Sequence, residues 1–221
     1  MGADLNKLQQ KTEITRTALF LAARDVIVKE GYDRAQLAMI AKHAGRTKGS
    51  VYAHFKSKEE LFLAMMEYIL TERRSRIAEL SIDQTGEALR VAIRTMCARA
   101  AVEDAWVLLI LEYRLYTLRK PKTSARIRKI YNQLWESLFV QLLRLAEDSK
   151  RSPAEVRTSL EILRAMPSSL ILEAKLRSKP AEALKERQAL FCSVFDILFP
   201  QQDVSSTPRE KSPRNKGQLS E

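Results

Sequence analysis

Residues 46–58, with the sequence RTKGSVYAHFKSK, combine four basic side chains, two aromatic rings and a histidine without any acidic residue. Clustered lysine and arginine side chains bind phosphate groups, and arginine can also donate two hydrogen bonds to the edge of a guanine base. The residue types of this segment therefore favour binding of an anionic polymer over catalysis.

The basic charge of the chain is concentrated around that segment. The whole sequence has a net charge of +11 and a pI near 9.8, which indicates nucleic acid ahead of a membrane surface as the partner. Residues 34–58 carry six basic and no acidic side chains, whereas residues 1–33 carry five of each. A solvated charged face would be the simpler explanation if the segment had no further features.

Capping signals and hydrophobic periodicity predict that helices position these side chains. A first helix covers about 13–30 and a second about 36–43. Thr47 is placed to cap a short third helix, and a Ser57–Glu60 capping box begins a fourth helix that reaches about residue 80. Five more helices are predicted at about 84–101, 104–119, 122–149, 153–177 and 181–199, with Pro167 expected to kink or split the fourth of these five.

Two helices joined by a tight turn at Gly45, the second of them short and basic, form a helix-turn-helix arrangement. Val51 and Phe55 are four residues apart, so they share a face that can anchor the short helix on its neighbours. Lys48 and Tyr52 share a different face, which can point toward solvent or phosphate. The apolar residues thus seat the helix, and the basic residues are available for binding.

This segment resembles the DNA-binding domain of the tetracycline-repressor (TetR/AcrR) family of bacterial transcriptional regulators. The resemblance covers about 60 residues, and the remainder is similar to the family only in its helical content. The matching residues are Gly31-Tyr32, Ile40-Ala41, Ala44-Gly45, Lys48-Gly49-Ser50-Val51-Tyr52, His54-Phe55 and Ser57-Lys58-Glu59-Glu60-Leu61, with Arg16 and Ala22-Ala23 in the first helix.

The resemblance implies roles for residues of the short helix and its borders. Thr47, Lys48, Tyr52 and His54 would contact phosphates or bases, and Gly49 would allow the backbone to approach DNA closely. Lys58 would meet a phosphate at the start of the fourth helix, where unpaired amides also favour an anion. The candidates for reading base edges are Arg46, Lys48 and Ser50, because they lie at the leading end of the helix.

The chain departs from the family pattern at the borders of the second and third helices. Ala35 and Gln36 replace the usual Thr or Ser before the second helix, so Asp33 is a candidate substitute for the missing cap. Arg46 stands where the family commonly has a small apolar residue. Its side chain either reads a guanine or extends into solvent, and the sequence leaves both interpretations open.

The predicted fold is all-α with about nine helices. A three-helix DNA-binding domain is joined by a long fourth helix to a C-terminal bundle that binds an effector and dimerises. The predicted boundaries are an N-terminal arm at 1–12, the helix-turn-helix domain at 13–56, the connecting helix at 57–80, the effector and dimerisation domain at 81–200, and a disordered tail at 201–221.

The resemblance places a homodimer interface on the last two long helices. Two-fold symmetry then presents two recognition helices to a palindromic operator in double-stranded DNA. Ordinary packing within one chain is the alternative for the same apolar residues. The interface candidates are Leu163, Leu170, Leu184, Phe191, Val194, Phe195 and Leu198.

The middle helices resemble the effector-binding core of the family, and they hold most of the larger aromatic residues. Glu112 lies in the apolar run VLLILEYRLY, where a carboxylate is unfavourable unless it is paired or exposed. It is either a solvent-facing residue or a pocket carboxylate for a small-molecule effector. The pocket candidates are Trp106, Glu112, Tyr113, Tyr116 and Trp135, although aromatic residues of this kind are more often plain core.

Other functional classes find little support in the sequence. His43 and His54 have no nearby cysteine, so neither a metal site nor a cofactor is predicted. No nucleophile, acid and orienting group converge in one motif, so the chain is not predicted to be an enzyme. No apolar run is long enough to span a membrane, and a cytoplasmic protein is expected. The predicted function is a sequence-specific repressor relieved by a ligand, and the main alternative is a structural protein that coats DNA without sequence preference.

Overall fold

The computed structural model describes residues 2–80, 86–147, 151–176 and 180–201. These residues form nine helices and no strand, which confirms the all-α prediction. The helices are α1 (Gly2–Glu30), α2 (Leu37–His43), α3 (Lys48–His54), α4 (Lys58–Glu79), α5 (Gly86–Val102), α6 (Asp104–Arg119), α7 (Ala125–Ala146), α8 (Pro153–Leu176) and α9 (Pro180–Leu198). We call α1–α3 the head and α5–α9 the body, and α4 joins them.

Helix α1 begins eleven residues before the predicted start and includes most of the segment 1–12 that was expected to be an arm. That segment is rich in Leu, Lys and Gln, which are good helix formers. It lacks the apolar repeat that begins near Leu19, so periodicity could not reveal the first turns. The N-terminal arm is therefore helical.

Side-chain caps define the start of α3 and α4 as predicted. Thr47 Oγ1 accepts a hydrogen bond from the Ser50 amide at 3.1 Å, and Ser57 Oγ accepts one from the Glu60 amide at 3.0 Å. In a capping box the Glu60 carboxylate would accept from the amide of the capping residue Ser57. Here Glu60 Oε2 accepts instead from the amide of Lys56, one residue earlier, at 2.7 Å. Each cap satisfies an amide that the first helical turn leaves unpaired.

The start of α2 has no side-chain cap, and Asp33 does not supply one. The Asp33 carboxylate instead pairs with Arg119 of the body at 3.1 Å. The turn between α2 and α3 passes through Gly45 at φ +63°, a backbone conformation that glycine adopts without steric penalty. The head therefore depends on its apolar packing more than on the cap of α2.

The body helices pack around one another and against α4. Helix α7 lies along α4, α8 packs on α9, and α5 contacts both α8 and α9. Arg126 of α7 pairs with Glu67 of α4 at 2.7 Å, and seven residues later on each helix Arg74 donates to Gln133 at 3.1 Å. Because both helices advance together, α7 runs parallel to α4.

Helix α8 begins as predicted and remains continuous through its internal proline. Ser152 and Glu155 form the capping box, with the Ser152 amide donating to Glu155 Oε2 at 2.7 Å and the Glu155 amide donating to Ser152 Oγ at 3.3 Å. Pro167 lies inside the helix and does not split it into two elements.

Three further predictions concern the tail, a membrane span and a metal site. Apart from Gln201, the tail predicted to be disordered lies outside the described residues. Within the described ranges, no helix is long and apolar enough to cross a membrane. The same ranges contain no group of three or more His, Cys, Asp or Glu side chains arranged to hold a metal ion.

Candidate DNA interface and effector cavity

Helix α3 is anchored by one face and exposed on the other, as its sequence predicts. Val51 is 0% exposed and Phe55 1%, whereas the Tyr52 side chain is 50% exposed. The Phe55 ring packs 5.7 Å from the ring of Phe20, and the guanidinium of Arg16 lies 5.1 Å from the Phe55 centroid. The helix is thus held on α1 while its basic face remains free.

Seven of the eight predicted DNA-contacting residues form one surface segment of the head, on α3 and in the turn before it. Lys48 and Tyr52 lie together on the outer face of α3, with the Lys48 ammonium 5.8 Å from the Tyr52 ring. The Arg46 side chain is exposed beside them, and its amide donates to the Ala41 carbonyl at 2.8 Å. The other members of this surface are Thr47, Gly49, Ser50 and His54, which are exposed or partly buried.

Lys58 is engaged inside the head in this conformation. Its ammonium donates to the carbonyl oxygens of Tyr32 at 2.8 Å and Asp33 at 3.0 Å. It also lies 4.6 Å from the Tyr32 ring centroid. Lys58 therefore ties the turn after α1 to the start of α4, and a phosphate would have to compete with these carbonyl groups for its ammonium.

Tyr116, a predicted pocket residue, lies at the junction between head and body. Its hydroxyl donates to Glu59 Oε1 at 2.7 Å, and Lys120 donates to the same oxygen at 2.7 Å. These two bonds, with Lys120 the stronger influence, hold the pKa of Glu59 below its ordinary value. The Tyr116 ring also packs against Tyr32 and Phe62, with centroids 5.6 and 5.4 Å away.

Glu112 also faces the head and does not line the cavity. Its Oε1 would lie 3.3 Å from a Cβ built on Gly31, so the carboxylate packs closely on the turn that ends α1. Glu112, Tyr116 and Arg119 are spaced four and three residues apart, which places them on one face of α6. That spacing was visible in the sequence, but only the packing of α6 on α1 shows what the face contacts.

Tyr113 is a core residue of the body. It is 2% exposed, and its ring lies 5.3 Å from that of Tyr131. Its buried hydroxyl has no hydrogen-bond partner among the described residues. Burial raises the pKa of this hydroxyl, so it remains protonated. Tyr113 is therefore the third predicted pocket residue that the structure places elsewhere.

The body and α4 enclose a cavity of about 600 Å³, within the range of small-molecule sites. Trp106 and Trp135, two of the five predicted pocket residues, line it. The Trp135 indole N–H is buried without a partner among the described residues. Its walls are mostly apolar, with basic residues at one border. The other lining residues are Arg73, Arg76, Ile77, Leu80, Ala92, Thr95, Met96, Cys97, Arg99, Ala100, Glu103, Leu134, Leu138, Leu163, Pro167 and Phe191.

Arg73 lies on the connecting helix α4, and its polar side chain forms part of the cavity wall. Its guanidinium lies 3.9 Å from the Trp106 ring centroid and donates to Glu103 Oε2. Burial is the main influence on the Arg73 pKa and lowers it, while the bond to Glu103 opposes that shift. Arg73 and Glu103 were not predicted, because single charged residues do not stand out in a chain with 38 basic and 27 acidic side chains.

The sequence of the head matches a known family of regulators. Residues 19–65 fit the family described as "Bacterial regulatory proteins, tetR family". The head is therefore a DNA-binding domain of the TetR family, as its motif predicted. The chain is similar to DNA-binding transcriptional regulators.

The relatives of this chain and its structural neighbours are transcriptional regulators and not enzymes, in agreement with the prediction. It is 23% identical over 206 residues to the HTH-type regulator YwcC of Bacillus subtilis, covering 87% of this chain and 90% of YwcC. It is 30% identical over 104 residues to the repressor AcnR of Corynebacterium jeikeium, covering 47% of this chain and 49% of AcnR. The solved structure of FadR from Bacillus subtilis in complex with stearoyl-CoA has a similar fold, with a TM-score of 0.62 and 20% identity over 85% of this chain and 99% of FadR.

The two C-terminal helices bury some of the predicted dimer residues within one chain. Leu163, Phe191 and Phe195 are 3%, 1% and 0% exposed, so they belong to the body core and are not available to a second copy. Leu184 is exposed, whereas Leu170, Val194 and Leu198 are partly buried. Periodicity identified apolar positions on α8 and α9 but could not distinguish the inner face from the outer one.

A second group of large apolar side chains on α8 and α9 is exposed, and only one of its members, Leu184, was among the predicted dimer residues. We call it the outer stripe, and its large members are 41–81% exposed. On α8, residues 162, 169, 172 and 176 recur at intervals that keep one helical face, although residue 169 is a serine. The apolar members of the outer stripe are Ile162, Leu172, Leu176, Leu184, Leu190 and Ile197.

Proposed function

We propose that this regulator is a homodimeric repressor that binds a palindromic operator and releases it when a small molecule occupies the body cavity. The observation that carries the proposal is the position of the cavity, which is bordered by α4, the same helix that begins at the head. A molecule that changes the cavity can therefore act on the DNA-binding surface through one continuous element.

The exposed face of α3 is the proposed reading surface. Lys48, Tyr52 and His54 would contact phosphates and bases, and Gly49 would allow close approach of the backbone. Thr47 caps the helix and Ser50 lies in its first turn, so both side chains are at the leading end proposed to meet the DNA. Arg46 is exposed at the leading end, so its side chain is available to donate to a base in the major groove.

Dimerisation through the outer stripe would place two such surfaces on one duplex. Monomeric proteins rarely leave a large apolar patch in water, so the exposed residues of α8 and α9 support a contact between copies. A two-fold arrangement is expected to set the recognition helices roughly 34–36 Å apart, one turn of DNA. The partly exposed Leu170, Val194 and Leu198 would lie at the borders of this contact.

The lining of the cavity favours an amphipathic effector with an apolar body and one anionic group. Ile77, Leu134 and Leu138 are buried within the wall, whereas Arg76 and Arg99 lie exposed at its border. The stearoyl-CoA bound by FadR also joins an apolar chain to an anionic part, which supports an amphipathic anion as the effector of this chain. An anionic group near Arg73 would compete with Glu103 for the guanidinium.

Competition for the Arg73 guanidinium would couple ligand binding in the cavity to DNA binding by the head. Arg73 and Lys58 lie on the same helix about 22 Å apart, at 1.5 Å per residue. A shift of α4 would disturb the contacts of Glu59 with Tyr116 and Lys120, which join the head to the body. The coupling free energy expected for such a device is about 1–3 kcal/mol.

The proposal is tested by measuring affinity for the palindrome upstream of the gene and for random duplexes of equal length. We expect the palindrome to bind about 10³-fold or more tightly at physiological salt. An amphipathic anion such as palmitate or palmitoyl-CoA should weaken that binding. Equal affinity for both duplexes would indicate a DNA-coating protein, and a ligand that binds without changing operator affinity would exclude the proposed release.

We expect Arg73→Met to weaken palmitate binding about tenfold to a hundredfold, because the charged hydrogen bond is lost while the apolar stem is kept. Hexadecanol, which has the same chain without the charge, should bind both proteins equally. Isothermal calorimetry measures both ligands. Arg157→Met, which removes an arginine outside the cavity lining, is the matched control, and equal palmitate affinity in the Arg73 variant would contradict the assignment.

A further inference from the structure

A second strongly basic segment lies in the body, between α6 and the first turn of α7. Residues 119–129, with the sequence RKPKTSARIRK, contain six basic and no acidic side chains. We call residues 119–129 the flanking segment. All six of its basic residues are exposed. Its net charge of +6 equals that of residues 34–58, which include the proposed reading surface.

The packing of α7 places the flanking segment at the same end of the molecule as the head. Helix α7 runs parallel to α4, and Arg126 in its first turn pairs with Glu67, nine residues after the start of α4, so α7 begins beside the half of α4 that is nearer the head. Arg119 reaches Asp33 at 3.1 Å, and Lys120 reaches Glu59 at 2.7 Å. Glu59 directly follows Lys58, the residue predicted to meet a phosphate. The flanking segment is therefore adjacent to the head at the start of α4.

Pairing with the head and α4 neutralises only half of the flanking segment. Arg119, Lys120 and Arg126 form ion pairs with Asp33, Glu59 and Glu67. Throughout the described part of the chain, no carboxylate pairs with the remaining three basic residues. Of these, Arg128 interacts electrostatically with Tyr113 of the body. The other two are Lys122, in the connection before α7, and Lys129, in its first turns.

We propose that the flanking segment binds the DNA backbone just outside the base pairs read by α3, through Lys122 and Lys129. This inference depends on the proposed reading surface of α3. Lysine ammonium groups on flexible stems suit phosphates, which need charge but no fixed geometry. Each phosphate contact releases condensed counterions from the duplex, so these residues add affinity without adding sequence preference.

The composition of the flanking segment favours DNA over a membrane surface. Binding in a membrane interface requires exposed apolar side chains opposite the basic ones. The large apolar residue within the segment, Ile127, is 2% exposed and belongs to the body core. The surface that remains is basic and polar, and the flanking segment reaches the head through Arg119 and Lys120.

The test compares the chain with a Lys122→Gln/Lys129→Gln variant on two duplexes. One carries only the palindrome, and the other adds natural sequence on both sides. On the long duplex we expect the variant to bind about tenfold more weakly, with a salt slope smaller by about one for each phosphate that the variant no longer binds. On the short duplex the two proteins should bind equally. Arg157→Gln/Lys185→Gln removes the same charge from α8 and α9, outside the cavity lining and the proposed DNA surfaces, and should match the unsubstituted chain on both duplexes.

Three outcomes would overturn the inference. The first is an unchanged affinity and salt slope on the long duplex. The second is an equal loss of affinity on both duplexes, which would indicate a long-range charge effect instead of binding beside the site. The third is an equal loss of affinity in the control variant. Failure of the unsubstituted chain to prefer the short palindrome over random DNA would instead contradict the α3 surface, so the two proposals fail separately.

Discussion

Replacing Phe55 with alanine is expected to unfold the head and abolish operator binding. The Phe55 ring is 1% exposed and contacts the ring of Phe20 and the guanidinium of Arg16 on α1. Truncating a buried phenylalanine costs about 3–5 kcal/mol of folding free energy. Because a typical domain is stable by only about 5–15 kcal/mol, a loss of this size removes much of the margin.

Urea unfolding followed by circular dichroism measures the loss of stability, and fluorescence anisotropy with a labelled palindrome measures binding. The matched control is Tyr52→Ala, which removes an exposed aromatic residue of α3 three positions before Phe55. We expect that control to change the free energy of unfolding by less than about 0.5 kcal/mol while still weakening DNA binding. A Phe55→Ala protein with unchanged stability would show that α3 is not anchored by this ring.

Placing aspartate at Leu172 and Ile197 is expected to convert the proposed dimer into a folded monomer with very weak operator binding. These side chains are 52% and 77% exposed in one chain, so the fold of a single copy does not depend on them. In a dimer they would be buried, and an unpaired carboxylate in an apolar contact is strongly unfavourable. Loss of the second recognition helix should lower operator affinity by about 10²–10⁴-fold.

Analytical ultracentrifugation reports the oligomeric state, and thermal unfolding reports whether the monomer is folded. Val140→Asp provides the control, because Val140 is also 52% exposed but lies on α7, away from the outer stripe. We expect the control to remain dimeric and to bind the palindrome normally. A Leu172→Asp/Ile197→Asp protein that still sediments as a dimer would assign dimerisation to another surface.

The sequence alone determined the helical fold, the caps and the anchored recognition helix. Thr47 and Ser57 cap the helices that follow them because a cap involves only the next three residues. Val51 and Phe55 face inward together because a spacing of four residues sets their direction on any helix. The family followed from the same short segment. Interactions this local can be read from residue order without knowledge of the packing.

Tertiary structure alone decided which helical faces meet. Tyr116 and Glu112 were predicted in the effector pocket, but α6 turns that face toward the head, where Tyr116 bonds Glu59. Phe191 was predicted between two copies, but it packs inside one chain. Arg73 was not predicted as a pocket residue, but it lies between Trp106 and Glu103 at the cavity. Periodicity shows that a helix has an apolar face, whereas the partner of that face depends on contacts between residues far apart in the chain.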